Sequence, residues 1–235
     1  MVKPNAISAD ELGHALGLLV HDFRNPAATI SANVDFLQEV GLADTESREA
    51  LDDVKLAVGE LRRGLDMVAW ISRWLTGDIP IEAVNGDVGM FLSRLEKAVT
   101  PVPVTVEVAP GQQLYAHGAQ VAVAAVELLL HNTRANVADP CATVRVYQQG
   151  GRVAIELEDA GEAIAPELRQ IAFTLEGQQA LKGRMDGRYS RFLGLFAVSV
   201  LLDGVGGTIE ADGRQGAAIF RVLLRGARPT RPPSP

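Results

Sequence analysis

The chain has 235 residues, 47% of them hydrophobic, and a formal charge of −7: apolar content for one or two packed domains, and a charge that argues against general nucleic-acid binding. Its one cysteine, Cys141, excludes an internal disulfide and a cysteine-built zinc site. The longest apolar run, Phe192 to Leu202, is too short for the roughly 20 residues of a membrane helix; with no signal peptide visible, a cytoplasmic protein without membrane insertion is expected.

In chain order, Ser8-Ala-Asp-Glu11 fits a capping box and sets a helix start near Ala9. Leu12, Leu16, Leu19, Val20, Phe23, Ala27, Ile30, Val34 and Leu37 then recur at three- and four-residue steps up to Gly41, a suitable stop. A second amphipathic helix is expected from Thr45, with Leu51, Val54, Val58, Leu61, Leu65, Val68, Ile71 and Leu75 on one stripe. The pair makes a helical hairpin. One hairpin leaves much of both stripes uncovered, so a homodimer closing a four-helix bundle is expected.

Inside the first helix lies His21-Asp-Phe-Arg-Asn-Pro26. On a helix Asn25 falls one turn beyond His21 on the same face, and Asp22 shares a face with Asn25. Pro26 lacks the amide that would bond to the carbonyl of Asp22, so a kink is expected one turn after the histidine.

After Thr76 the pattern changes. Gly77-Asp-Ile-Pro80 and Asn85-Gly-Asp87 read as turns, which divides the chain into a helical hairpin, 1–77, a second domain, 78–226, and a proline-rich tail, 227–235, expected to be disordered. Helices are expected over 88–99, over 118–137 and around 197–202, and a strand over 102–108. Strands 143–148 and 152–158 flank Gly150-Gly151, and 208–211 with 218–224 suggest a second hairpin. Helices beside hairpins, without regular strand–helix alternation, give an α+β fold with a mixed sheet.

The hexapeptide His21–Pro26, a second long helix and then an α/β sandwich resemble the catalytic core of two-component sensor histidine kinases, from about Ala9 to Leu224. The resemblance implies that His21 accepts the phosphoryl group, that Asp22 is the acid beside it which takes the imidazole proton, and that Asn25 orients water in dephosphorylating a partner. It implies ATP and Mg²⁺ as cofactors and a response-regulator receiver domain as partner. Glu127-Leu-Leu-Leu-His-Asn132 resembles the N-box, with Asn132 as the magnesium ligand; Leu128 stands where the family has another asparagine, and Ala135 where it has a basic residue. Asp159 and Gly161 resemble the adenine-binding G1 box, in which Ala163 replaces a second glycine. Ser190-Arg-Phe-Leu-Gly-Leu195 stands in place of the glycine-rich G2 lid, where Gly194 alone matches clearly. Gly206-Gly207 and Gly213-Arg-Gln-Gly216 resemble the closing turn and hairpin and read as structural.

Two functions follow, both using His21. One is a soluble histidine kinase that phosphorylates His21 from Mg-ATP and passes the phosphoryl group to a receiver aspartate. The other is a kinase-derived histidine phosphotransferase with a degenerate nucleotide site, relaying phosphate between receivers. Asn132, Asp159 and Gly161 favour the kinase; Leu128, Ala163 and the glycine-poor lid favour the relay. The margin is with the kinase. A scaffold without chemistry is a third reading, against which the complete hexapeptide counts.

Overall fold

A computed structural model describes residues 9–40, 45–75, 85–93, 95, 102–109, 114–133 and 140–227. Two long helices come first: α1, Ala9–Val40, and α2, Thr45–Leu75. They pack against each other, while Leu16, Val20, Val58 and Leu65 of the expected apolar stripes stay exposed. The helix runs without interruption through Pro26, which is buried. The capping-box serine, the Gly41 stop, the boundary near Gly77 and the tail beyond 227 lie outside the described residues.

The second part begins with β1, Asn85–Asp87, then α3, Val88–Leu92, capped by the Asp87 carboxylate accepting from the Met90 amide at 3.3 Å. Strand β2, Val104–Val108, and strand β3, Tyr115–His117, precede α4, Ala119–Leu130. The hairpin of β4, Ala142–Gln149, and β5, Arg152–Ala160, follows. Next come a short 3-10 turn, Pro166–Leu168, helix α5, Leu175–Leu181, and a 3-10 segment, Met185–Leu193. Helix α6, Gly194–Asp203, and the hairpin of β6, Thr208–Arg214, with β7, Ala217–Arg225, close the fold.

The main sheet has five strands in the order β2-β4-β5-β7-β6, with β2 parallel to β4 and every other pairing antiparallel. The fold is therefore α+β with a mixed sheet, as expected from the sequence. One face of the sheet buries Val144, Val146, Ile155, Leu157, Phe220 and Val222 against α4 and α6 in the principal core. Helix α4 is apolar nearly all round because it lies inside that layer.

Three expectations are corrected. Asn85-Gly-Asp87 is a strand, not a turn: it pairs antiparallel with Tyr115–His117, and His117 Nδ1 sits 3.1 Å from Asn85 Oδ1. The helix expected over 118–137 stops at Leu130, because Asn132 Nδ2 donates to the Leu128 carbonyl at 3.3 Å and Thr133 Oγ1 to that of Leu130 at 2.8 Å. These side chains satisfy the last-turn carbonyls that a continued helix would have used. The helix expected over 88–99 is described only over Val88–Leu92, with Ser93 in a turn; most of the remainder lies outside the described residues.

Candidate functional site

Of the hexapeptide, Asp22 is held most firmly. Its Oδ2 accepts from the backbone amide of Phe192 at 2.9 Å, and its Oδ1 is paired with Lys182 Nζ. Both donors come from the second part of the chain. Asn25 is exposed, and its backbone carbonyl accepts from Thr29 Oγ1 at 3.2 Å. The backbone of His21 lies in α1 one residue before Asp22; its side chain is outside what is described.

A second apolar cluster surrounds Asp22. Ala15 and Leu19 of α1 meet Phe192, Leu193, Phe196, Ala197 and Val200, with Phe23, Val68 and Leu128 packed at its border. Phe23 and Phe192 place their rings 5.4 Å apart at 48°, a tilted contact of the favourable kind. Phe192 and Leu193 both have left-handed backbones, with φ of 53° and 58°. Side chains rarely adopt that conformation, which costs on the order of 1–3 kcal/mol per residue. By the resemblance, this is the stretch where a glycine-rich lid would stand. Burial of both side chains and the bond from the Phe192 amide to Asp22 offset that cost.

Room for Phe192 comes from Gly64 on α2: a Cβ there would stand 2.5 Å from Phe192 Cδ1 and 2.7 Å from Phe23 Cε1. Gly64→Ala should therefore destabilise the protein by about 1–2 kcal/mol in denaturant unfolding, because overpacking outweighs the roughly 1 kcal/mol that alanine gains within a helix. An unchanged or raised midpoint would show that the ring has room to move.

The G1 residues are brought together, with an arginine between them. Arg188 Nη2 donates to Asp159 Oδ1 at 2.8 Å and Oδ2 at 3.1 Å, and Nη1 to the Glu162 carbonyl at 2.9 Å. The Asp159 side chain is only 1% exposed, so an unpartnered carboxylate there would be costly. Gly161, at φ 141°, lets the guanidinium approach: a Cβ on it would lie 2.9 Å from Arg188 Nη2. Tyr189 closes the back, fully buried, with its ring 4.4 Å from that of Phe220. Burial first, and then the Asp159 charge, push its hydroxyl well above the ordinary tyrosine range, so it stays protonated. By the resemblance, Asp159 and Gly161 would face adenine. Here a guanidinium supplies the N–H donors that an adenine amino group would bring.

Asn132 and Gly194 are also neighbours. A Cβ on Gly194 would stand 2.7 Å from the Tyr189 carbonyl oxygen and 3.7 Å from Asn132 Nδ2. Leu128 packs against both apolar clusters; the position serves as a joint between the two parts of the chain. Ala163 is accommodated because Gly213 faces it, where an added Cβ would come within 2.2 Å of the Ala163 Cβ. Burial raises the Glu127 carboxyl above its ordinary value.

Asn132 could offer one oxygen to a magnesium ion, whose other ligands are commonly phosphate and water. The adenine side does not fit a nucleotide in this arrangement, since Arg188 already holds Asp159 and lies against Gly161. Among the described residues there is no group of three or more metal-ligating side chains of the histidine, cysteine or carboxylate kind, and no helix is long and apolar enough to cross a membrane.

Sequence reasoning did not single out Lys182, Arg188 or Tyr189. One signal was present: Lys182, Arg184, Arg188 and Arg191 gather ahead of α6 in an acidic chain, and an acid ending a buried strand requires a cation or a ligand.

No family model matches the chain, and no curated protein matches it. Solved structures do. The histidine kinase AdeS of Acinetobacter baumannii aligns with a TM-score of 0.57 at 14% identity, over 87% of this chain and 97% of that one. The histidine kinase ThkA, in a complex with the response regulator protein TrrA, aligns with a TM-score of 0.63 at 15% identity, over 92% of this chain and 62% of that one. Full-length ShkA in complex with AMPPNP gives 0.54 at 20% identity, over 92% of this chain and 46% of that one. The chain has the fold of a histidine kinase catalytic core.

Proposed function

We propose that this chain acts in two-component signalling, carrying a phosphoryl group on His21 and exchanging it with the aspartate of a response-regulator receiver domain. The observation that carries the reading is the hexapeptide beginning at His21, set in a helical hairpin of kinase fold with its acid, Asp22, fixed by Lys182 and the Phe192 amide. A lone pair on one imidazole nitrogen attacks phosphorus, and the P–O bond to the donor breaks with its electron pair leaving on the donor carboxylate. In this reading Asp22 takes the proton from the other ring nitrogen as the N–P bond forms, and returns it when the phosphoryl group moves on. General-base assistance of this kind is worth about 10²–10⁴-fold.

The source of the phosphoryl group distinguishes two readings. Asn132, Asp159, Gly161 and Gly194, together with the fold, support Mg-ATP and a histidine kinase. The guanidinium of Arg188 on Asp159 favours the relay instead, in which a phosphorylated receiver loads His21. Adenine could reach Asp159 only after that buried ion pair opens, so ATP binding is expected to be weak and autophosphorylation slow. The test is to incubate the full chain with labelled Mg-ATP and, separately, with receiver domains of the same genome charged with phosphoramidate. Label from ATP assigns the kinase, and label from a receiver alone assigns the relay. No label on His21 from either removes the proposal.

The homodimer belongs to the same proposal. Leu16, Val20, Val58 and Leu65 on α1 and α2 are 53%, 49%, 51% and 61% exposed in a single chain, an apolar surface suited to a second hairpin. Light scattering should find a dimer at micromolar concentration. Leu65→Asp should shift it to monomer, since the seam would then bury an unpaired charge; a monomeric unmodified protein would refute the bundle.

A further inference from the structure

We propose that Lys182 is a positioning residue of the phosphotransfer site, lent by the second part of the chain to the helix that carries His21; this rests on the reading of His21 given above. Lys182 and Asp22 are 160 residues apart in sequence, yet the ammonium is paired with Asp22 Oδ1. The side chain gets there because α5 ends at Leu181: Lys182 leaves the helix with an extended backbone, φ −61° and ψ 131°. Its neighbour on the carboxylate is the Phe192 amide, 2.9 Å from Oδ2. The Asp22 side chain is 9% exposed and that of Lys182 is 23%. The pair is thus largely withdrawn from water, where charge–charge contacts are screened less than at the surface.

Two consequences follow for the chemistry. Donors on both oxygens hold the Asp22 carboxylate in one orientation, so the acid beside His21 does not have to be ordered during the reaction. The phosphoryl group that arrives on the neighbouring residue brings about two negative charges at neutral pH. Without Lys182 it would meet a partly buried carboxylate with no ammonium to offset the repulsion. Lysine suits this role, being a compact charge on a flexible stem that can follow a moving phosphoryl oxygen. On this inference, the kinase-like second part contributes to histidine chemistry whether or not it binds a nucleotide.

The test uses the full chain and potassium phosphoramidate, a small donor whose P–N bond breaks as the imidazole N–P bond forms and ammonia leaves. Phosphohistidine is followed by ³¹P NMR in the unmodified protein and in Lys182→Gln, Lys182→Arg and Asp22→Asn. Lys182→Gln should slow labelling about tenfold, as expected for loss of a charge-assisted hydrogen bond. Lys182→Arg should recover most of the rate, and Lys182→Gln should add little in the Asp22→Asn background. A structural role alone would give no such charge-specific rescue, and circular dichroism confirms that each variant is folded. If the unmodified protein labels and Lys182→Gln labels equally fast, the inference is overturned while the reading of His21 stands. If labelling never occurs on His21, that reading fails and the inference with it.

Discussion

Alanine at position 21 should abolish phosphoryl acceptance. In the proposed function the imidazole is the attacking group, so its removal should cost more than the roughly 10²–10⁴-fold typical of losing a general base. The loss is measured as acid-labile label on the full chain, with helical content and oligomeric state followed in parallel; both should stay as in the unmodified protein, since the role proposed for His21 is chemical. Retained labelling would reject the assignment. Asn25→Ala should behave differently. Asn25 is exposed, and its hydrogen bond with Thr29 uses the backbone carbonyl, which alanine keeps. Acceptance is expected to survive, while dephosphorylation of a receiver falls. Equal loss of both activities would remove the water-orienting role.

Replacing Arg188 by alanine should have the largest effect on stability and should open the space beside Asp159 and Gly161. The substitution strands Asp159, whose side chain is 1% exposed. Breaking a buried pair by deleting one partner costs about 3–5 kcal/mol. The double variant Arg188→Ala with Asp159→Asn should recover a large part of that loss, since it removes the stranded charge. Arg188→Ala also frees Asp159 and the space beside Gly161, so calorimetry at millimolar nucleotide should find ATP bound at least about tenfold more tightly than by the unmodified chain, a difference of roughly 1.4 kcal/mol. An unchanged affinity would mean that something other than Arg188 keeps the base out. Arg188 does not fit its niche fully, since its Nε is buried without a hydrogen-bond partner among the described residues; that is one reason to expect the pair to be displaceable.

The sequence made the scaffold readable where structure depends on near neighbours. The stripes of α1 and α2 have a helical period, and the hairpin at Gly150-Gly151 has its turn residues in place; both elements are found. The end of α4 was not readable, because it is set by whether Asn132 and Thr133 turn back onto the chain or outward. The strand at Asn85–Asp87 was also hidden, since its partner lies about thirty residues on and its residues favour turns. At the site, His21, Asp22, Asn132, Asp159, Gly161 and Gly194 stand out as motif positions. Arg188 and Lys182 do not: their meaning lies in contacts across 29 and 160 residues, and no local pattern encodes those. The departures at Leu128 and Ala163 were visible as losses. The structure gives each a function in packing, one as a joint between clusters and the other as the complement of Gly213.

The left-handed pair Phe192–Leu193 bears on where this protein divides. The helical hairpin and the sheet-bearing part differ in architecture, but they are not two independent energy wells. The loop shape at 192–193 is upheld by Asp22 and Phe23 of the first helix and by the vacancy at Gly64 of the second. Cutting the chain between the parts would leave two unsupported left-handed residues and an uncovered Phe192 ring, so the segment 182–193 would relax to other conformations. The smallest piece that keeps this loop in shape includes both helices, so the two parts should melt in one transition, as calorimetry would show.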